Sequence, residues 1–325
     1  MKRLISIVLL FSAVFCSNAG TADTLRILGV GNSWTRDAMR YVSAIAASAG
    51  KPVIVGHGYL GGSTLNDQLC GVSDENYSYI HNGEAQKVHS TYQYWKYTAS
   101  ADPVKNPSSE VYKNGLAGVG VTLRSIVADE PWDWIVIQPE ATFGGNYNSN
   151  VLSEIIFAIK RMMPERVASK VKTALMVPFA YPKGSTDYRN KFLEAYNSGK
   201  TPYDQQGWDS LYRRQYILIQ EAASRVCKEL KMGACINVGK AIELCRSDGD
   251  LSRFGYFLQR RRDNSHLAKG MPMYVASLCY VYILLGLSPE EISFYPAVPS
   301  ENGFVLSSLQ AKKVKNMIFK TLMTE

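Results

Sequence analysis

Short apolar runs alternate along the chain with longer stretches of helical periodicity. Runs of strand type lie at residues 25–30, 53–55, 134–137, 172–177 and 234–238. Helical patterns lie between and after them, at residues 37–49, 115–128, 150–163, 210–230, 269–285 and 307–323. Strands that are apolar throughout and alternate with helices are typical of a parallel sheet covered on both faces. The pattern therefore predicts an α/β fold, a three-layer α/β/α sandwich with a central parallel five-stranded sheet.

Two stretches interrupt this alternation. Residues 64–112 are long, polar and aromatic, and residues 181–209 are rich in Tyr, Gly, Pro and Asn. We expect both to be excursions from a single domain that spans residues 20–325. Long loops in a compact domain often bind ligands, so the excursions are candidate binding segments.

The N-terminus has the pattern of a secretory signal peptide. Lys2 and Arg3 precede an apolar run over residues 4–15, which is too short to span a bilayer, and small residues follow up to Ala19. We predict that residues 1–19 are removed and that the protein is exported to the periplasm or outside the cell. Cys16 leaves a second interpretation open, an outer-membrane lipoprotein with a lipid anchor at this residue. Later apolar runs do not reach spanning length, so no membrane span is expected.

Charge and cysteine content narrow the function classes. The formal net charge is +8, but the basic residues are scattered and only residues 260–262 form a run. We interpret them as a solvated surface, with a basic rim for acidic substrates as the alternative, and expect no nucleic acid partner. The six cysteines form no C-x-x-C pair, so we predict no metal site and no cofactor. Among them, Cys227, Cys235 and Cys245 are close enough in sequence for a disulfide bridge.

The first apolar run ends in a turn that is suited to a nucleophile. Gly31-Asn32-Ser33 lies where a predicted strand meets a predicted helix. The first N–H groups of a helix have no intrahelical acceptor, so an oxyanion could be held beside Ser33. In the alternative interpretation, Ser33 and Thr35 only cap the helix.

Two later segments are expected to approach this turn. Residues 56–61 spell the dinucleotide pattern G-x-G-x-x-G, but they follow the second strand and are succeeded by a poor helix start. We interpret them as a tight turn in which Gly61 or Gly62 presents an N–H to an oxyanion. Gln138 ends the third strand, which lies next to the first in such sheets. Its amide would either donate to the oxyanion or tie down a loop, and Glu140 is a candidate acid or a cap.

Asp263-x-x-His266 supplies a candidate base. The pair lies where a polar stretch meets the apolar helix predicted at residues 269–285. Alone, an Asp and a His at this spacing would by default have a surface or capping role. Together with a serine at a strand-to-helix turn, His266 is suited to take the serine proton, and Asp263 to orient the imidazole.

These motifs, in this order, resemble the sequence blocks of SGNH/GDSL-type hydrolases. The resemblance implies a flavodoxin-like α/β/α fold and a serine nucleophile at Ser33, with His266 as base and Asp263 as orienting acid. It also implies that the N–H groups of Ser33 and Gly62 are oxyanion donors. The resemblance covers residues 25 to about 285.

The third block departs from that family's usual Gly-x-Asn-Asp. Here it reads Ile137-Gln138-Pro139-Glu140, so the resemblance implies Gln138 as the third oxyanion donor, one methylene longer than Asn. This form is similar to a bacterial SGNH-like branch of mostly unassigned function.

The resemblance implies a secreted serine esterase that hydrolyses an acyl ester, in particular an acetyl ester on a carbohydrate. The residues expected to contact the substrate are Asn32, Trp34, Glu140, Tyr94 and Trp95. The aromatic run at residues 92–97 fits sugar stacking, but an ordinary hairpin whose aromatics pack on the domain remains open. The altered third block motivates an alternative function, a catalytically weak or inactive carbohydrate-binding or cell-surface protein.

Overall fold

The centre of the molecule is a six-stranded sheet. The structure is a computed structural model, and it describes residues 24–72, 78–81, 84–87, 92–98, 122–139, 148–181, 208–252, 266–297, 299 and 303–323. The strands, in chain order, are β1 (Leu25–Gly31), β2 (Val53–Tyr59), β3 (Ser78–His81), β4 (Glu84–Lys87), β5 (Gln93–Thr98), β6 (Trp134–Ile137), β7 (Lys172–Val177) and β8 (Ala234–Asn237). The central sheet has the order β5-β2-β1-β6-β7-β8, and β3 and β4 form a separate ribbon.

Helices cover both faces of the sheet. They are α1 (Ser33–Ala38), α2 (Val42–Ser48), α3 (Leu65–Val72), α4 (Leu123–Asp129), α5 (Ser149–Met162), α6 (Glu165–Ala168), α7 (Trp208–Glu229), α8 (Val238–Ser247), α9 (Met271–Leu285) and α10 (Ser308–Met323). Helices α1, α2, α8 and α10 pack on α9, whereas α3 and α4 pack on α5. A Cβ at Gly29 would meet α1, and one at Gly58 would meet α4. Because Gly29 is paired with His57, and neighbouring residues in a strand point to opposite faces, α1 and α4 cover opposite faces.

The predicted three-layer α/β fold is confirmed, with one addition to the sheet. The five predicted runs form β1, β2, β6, β7 and β8, and every pair among them is parallel. Strand β6 lies beside β1, as expected for the third strand. The sixth strand, β5, is antiparallel to β2 and comes from the predicted excursion at residues 64–112. Its alternation of large aromatics is a strand pattern that was hidden inside a polar segment.

The prediction of one continuous helix at residues 37–49 is wrong. It consists of two helices, α1 and α2, separated at residues 39–41. Ser277 of α9 stabilises the break, because its hydroxyl donates to the carbonyl of Ala38 at 2.8 Å and accepts the N–H of Tyr41 at 3.0 Å. A partner distant in sequence therefore ends α1, and local periodicity contains no sign of it.

The glycine-rich segment at residues 56–61 differs in part from the predicted tight turn. Gly56 and Gly58 lie inside β2, and a Cβ at Gly56 would lie 2.3 Å from the indole of Trp132. This close packing accounts for the glycine at position 56 without a bound dinucleotide. The supposed poor helix start after it is the beginning of α3. There Thr64 and Asp67 cap each other, with the Asp67 N–H donating to the Thr64 hydroxyl at 3.2 Å and the Thr64 N–H to the carboxylate at 2.8 Å.

The core is continuous and centres on α9, which is buried on almost every side. Within the described part of the chain, no helix is both long and apolar enough to cross a bilayer. The predicted signal peptide at residues 1–19, including Cys16, lies outside the described residues. So do most of the predicted excursion at 181–209 and the first part of the helix predicted at 115–128.

Candidate active site at the carboxyl end of the sheet

Ser33 is the first residue of α1, and it is half-buried. The helix is capped by Asn32, whose side-chain oxygen accepts the N–H of Trp34 at 3.0 Å. Asn32 is only 5% exposed, so it is part of the turn's scaffold. Thr35 donates its hydroxyl to Gln138 at 3.0 Å. The cap therefore lies one residue before Ser33, and neither Ser33 nor Thr35 fills that role.

The turn at Gly61-Gly62 is fixed to the two residues that precede Ser33. Before it, the Leu60 N–H donates to the carbonyl of Gly31 at 2.9 Å. After it, the side-chain nitrogen of Asn32 donates to the carbonyl of Ser63 at 3.2 Å. Both glycines are exposed, and Gly62 has a φ of +63°, a conformation that favours glycine. Because both ends of the turn are bonded to residues 31–32, the Gly62 N–H lies near the start of α1.

Gln138 directly follows β6, next to this turn, but its amide nitrogen is not oriented as the expected oxyanion donor. The side chain is fully buried, and its oxygen accepts the Asn32 N–H at 3.2 Å and the Thr35 hydroxyl at 3.0 Å. The backbone donor at Asn32 fixes which amide atom faces the turn. The amide nitrogen donates instead to the carbonyl of Pro139 at 2.6 Å. This geometry corresponds to the alternative prediction, in which the Gln138 amide fixes a loop and does not donate to an oxyanion.

Gly31 is required by the same contacts. A Cβ at this position would lie 2.3 Å from the Thr35 hydroxyl oxygen and 2.9 Å from the Gln138 side-chain oxygen. The glycine in Gly31-Asn32-Ser33 thus admits the two side chains that hold the turn.

Sequence reasoning missed Gln68, a fully buried residue on α3. Its side-chain nitrogen donates to the backbone carbonyl of Gln138 at 3.0 Å and lies 3.5 Å from the hydroxyl of Ser63. It therefore connects the glycine turn to the end of β6. The available signal is the capping pair of Thr64 and Asp67, which marks the start of α3 and so places Gln68 in a helix.

The segment that carries His266 is bonded to α1. Leu267 donates its backbone N–H to the carboxylate of Asp37 at 3.2 Å, and Asp37 is only 1% exposed. Asp37 and Ser33 are four residues apart on one helix, and residues at that spacing lie on the same face. His266 is half-buried next to this bond. A second bond, from the Gly270 N–H to the Tyr41 hydroxyl at 3.2 Å, fixes the other end of the segment.

Asp37 was not predicted as a site residue, although it lies only four residues after Ser33. Its carboxylate also lies 3.7 Å from the guanidinium of Arg36. An acidic residue one turn after a candidate nucleophile is the signal that could have found it. Asp263 and Glu140, the two acids that were predicted for the site, lie outside the described residues.

Two of the predicted substrate-binding aromatics are packed in the interior. Trp34 is 5% exposed and stacks on Phe179, with ring centroids 4.4 Å apart. Tyr94 is 2% exposed, and its hydroxyl donates to the carboxylate of Asp129 at 2.7 Å. Both positions differ from the expected substrate contacts, and that of Tyr94 corresponds to the alternative for residues 92–97, in which the aromatics pack on the domain. The reason for Tyr94 is strand alternation, which points it and Trp95 to opposite faces of β5.

Trp95 is half-buried on the α1 side of the sheet. Its ring stacks on His57 at 5.7 Å and tilts on Tyr59 at 5.5 Å, and the guanidinium of Arg36 lies 5.3 Å from the Tyr59 ring centroid. Burial, aided by the positive charge of Arg36, lowers the pKa of His57 to about 3, against a smaller opposing contribution from the backbone of Asn32. His57 is thus a neutral packing residue, and Trp95 with Tyr59 forms an aromatic face near the first turn of α1.

Comparison with solved structures finds a protein of similar overall fold. A DUF4886 family protein from Bacteroides uniformis is 19% identical, with a TM-score of 0.66, and the alignment covers 93% of this chain and 95% of that one. A catalytic mutant of an acetylxylan esterase from Geobacillus stearothermophilus is 10% identical, with a TM-score of 0.37 and coverage of 83% and 94%. A putative arylesterase from Agrobacterium tumefaciens is 12% identical, with a TM-score of 0.35 and coverage of 79% and 96%.

No curated protein matches the chain. Residues 26–311 match the family described as a domain of unknown function, DUF4886. This range begins inside β1, ends inside α10 and contains every residue of the candidate site. The chain therefore belongs to the DUF4886 family.

Proposed function

We propose that this protein is an exported serine ester hydrolase of the SGNH/GDSL type, with Ser33 as nucleophile and His266 as base. The observation that carries the proposal is the bond from the Leu267 N–H to the buried carboxylate of Asp37. It joins the segment of His266 to the helix face that begins with Ser33. A serine that is not used as a helix cap, with the segment that carries a histidine bonded to the same helix face, fits acyl transfer.

In the proposed reaction, the imidazole of His266 takes the hydroxyl proton of Ser33 as its oxygen attacks the ester carbonyl. The carbonyl oxygen becomes an oxyanion, which accepts hydrogen bonds from the backbone N–H groups of Ser33 and Gly62. The intermediate collapses when His266 returns the proton to the leaving alcohol. Water, activated by the same imidazole, then releases the acyl group. Asp263 orients His266, a role taken from the family resemblance.

Gln138 has a different part in this proposal from the one that the resemblance implied. Its amide oxygen faces the nucleophile turn and its nitrogen donates to Pro139. We therefore assign it as a positioning residue that holds Asn32 and Thr35, and the oxyanion has two backbone donors. Removal of a single oxyanion donor costs about 10²–10³ in turnover, so two are enough for a substantial rate enhancement.

For the substrate we propose an acyl ester, in particular an acetyl ester, of a carbohydrate. Trp95 and Tyr59 are half-buried and form an aromatic face, and Arg36 beside them lies one turn after Ser33 on α1. Aromatic faces pack well on the apolar faces of sugar rings. Asn32 and Trp34 support the walls of the site in this proposal, whereas Tyr94 packs on the opposite face of the sheet, so none of the three contacts the sugar.

Hydrolysis of p-nitrophenyl acetate by the purified chain tests the enzyme directly. We expect measurable turnover, and a loss of about 10⁴-fold or more in Ser33→Ala. Ser48→Ala, at the end of the neighbouring helix α2, is the matched control and retains turnover. Circular dichroism on all three proteins checks that they are folded. Equal turnover in Ser33→Ala and the wild type would exclude Ser33 as nucleophile.

The second candidate function is a catalytically weak or inactive protein that binds carbohydrate. The engaged amide nitrogen of Gln138 favours it, because the third oxyanion donor of the family is then missing. Calorimetric titration with acetylated and deacetylated oligosaccharides distinguishes the two functions. Sugar binding by a chain that turns over no acyl ester would support the second candidate, whereas turnover that depends on Ser33 supports the first.

A further inference from the structure

Two cysteines approach each other where α7 meets β8, the edge strand of the central sheet. Cys227 lies near the end of α7 and Cys235 lies in β8, and their sulfur atoms are 2.6 Å apart. The Met232 N–H donates to the carbonyl of Cys227 at 3.0 Å, which fixes the turn between them. An S–S bond is about 2.05 Å long, so the two side chains need only a small movement to be bridged.

Both sulfur-bearing residues are accessible from outside. Cys227 and Cys235 are half-buried and line a groove of about 710 Å³. Two further cysteines, Cys245 and Cys279, are fully buried in the core, where burial raises the pKa of both thiols. An external thiol reagent therefore has a path to the first pair and none to the second.

The pair is also asymmetric in its protonation. Cys227 donates its S–H to Cys235, which lowers the pKa of the Cys235 thiol and raises that of the Cys227 thiol. The thiolate is the attacking species in thiol–disulfide exchange. Cys235 is thus the residue that reacts first with an incoming disulfide.

We propose that Cys227 and Cys235 form an intramolecular disulfide that closes the turn between α7 and β8. The oxidant is a disulfide, either a small molecule or a protein thiol oxidase. The Cys235 thiolate attacks it and releases one thiolate, giving a mixed disulfide. Cys227, losing its proton, attacks the Cys235 sulfur and releases the second thiolate. Two protein thiols are oxidised to one disulfide, and one external disulfide is reduced to two thiols.

The bridge is a stabilising element that is independent of the Ser33 chemistry. It restricts the unfolded chain over a short loop, and we expect it to raise the midpoint of thermal unfolding by about 5 °C. Such a bond persists in an oxidising compartment, which is consistent with the export proposed from the N-terminus.

Peptide mapping of the full-length chain tests the bridge. The chain is equilibrated with oxidised glutathione or with dithiothreitol, alkylated, and digested with trypsin. Lys228 and Lys231 lie between the two cysteines, so cleavage separates them onto different peptides. We expect a linked pair, two hydrogens lighter than the separate peptides, after oxidation only. Alkylation of both cysteines after oxidation, or a bridge from Cys235 to another cysteine, would overturn the proposal.

Thermal unfolding gives a second test with matched variants. The wild type and Cys245→Ser should show a higher midpoint under oxidising than under reducing conditions. Cys227→Ser should lose that difference while it retains Ser33-dependent turnover. A redox-dependent shift that persists in Cys227→Ser would also contradict the bridge. If that variant does not fold, the peptide map of the wild type decides alone.

Discussion

The two sides of the Ser33 turn are built differently. On the β6 side, Gln138 is fully buried and its amide is bonded to Asn32, Thr35 and Pro139. On the β2 side, Gly61-Gly62 is an exposed turn without side chains, and its neighbouring residues make the bonds. The first side holds the turn in place, and the second leaves open space around Gly62.

This difference separates support from chemistry. A side chain whose hydrogen-bonding atoms are bonded within the protein stabilises a conformation, so its replacement mainly lowers the free energy of unfolding. A residue at the open side contacts what binds there, so its replacement mainly lowers turnover. The variants below test that separation, and they are ordered from the largest expected effect to the smallest.

Replacement of Gln138 should mainly reduce stability. In Gln138→Ala, the buried Asn32 N–H and Thr35 hydroxyl lose their acceptor, and each unsatisfied buried group costs about 1–3 kcal/mol. We expect the free energy of unfolding to fall by about 3 kcal/mol or more in urea denaturation. Turnover of the folded fraction, measured at low temperature, should fall less than tenfold.

The opposite outcome, a loss of turnover without a loss of stability, would assign Gln138 a direct role in catalysis. A loss of about 10²–10³ in turnover with an unchanged unfolding midpoint is what a direct oxyanion donor gives. It would restore the role that the family resemblance implied.

Replacement of Asp37 should reduce stability and also turnover, because its buried carboxylate holds the segment that carries His266. In Asp37→Ala, the Leu267 N–H loses its acceptor and the His266 segment is no longer bonded to α1. We expect kcat for p-nitrophenyl acetate to fall about 10²-fold with KM little changed, because a small misplacement of a catalytic group costs about that much. Asp37→Asn keeps an acceptor oxygen and should recover most of the loss.

Asp133 offers a matched control for this prediction. Its carboxylate accepts the backbone N–H of Arg26 at 2.7 Å, a bond of the same kind at the opposite end of β1. Asp133→Ala should lower stability and leave kcat of the folded protein near the wild-type value. Equal losses of kcat in the two variants would show that Asp37 has no specific effect on the site.

His57 makes stability depend on pH. The folded protein keeps it neutral down to a pKa of about 3, whereas a histidine in the unfolded chain has a pKa near 6.5. Between these values the unfolded state binds more protons, so stability falls as the pH is lowered through this window. From pH 7 to pH 5 the loss is about 2 kcal/mol.

The phenylalanine variant measures this contribution. His57→Phe keeps a ring against Trp95 and removes the titrating group, so urea unfolding should depend less on pH by about that amount. An unchanged difference between pH 7 and pH 5 would mean that other groups cause the acid sensitivity.

Much of the fold could be predicted because it is encoded locally. The strands at residues 134–137 and 172–177 are continuous apolar runs, and their bounds agree with the structure. The position of β6 beside β1 followed from the topology of such sheets, and it brings Gln138 to the Ser33 turn. The motifs at residues 31–33 and 61–62 are adjacent for the same reason.

The parts that could not be predicted depend on partners distant in sequence. Ser277 ends α1, although it lies far along the chain in α9. The direction of the Gln138 amide is set by the backbone of Asn32, which no pattern around Gln138 reveals. Tyr94 and Trp95 have similar chemistry, and only the pairing of β5 with β2 decides which one is buried.

Covalent labelling with a fluorophosphonate tests the central claim most directly. An activated serine attacks the phosphorus and displaces fluoride, so the adduct identifies the nucleophile by mass spectrometry of the peptides. We predict a single adduct on Ser33, slowed strongly in His266→Gln and absent in Ser33→Ala. A folded wild-type chain that stays unlabelled, or that is labelled on another serine, would contradict the proposed active site.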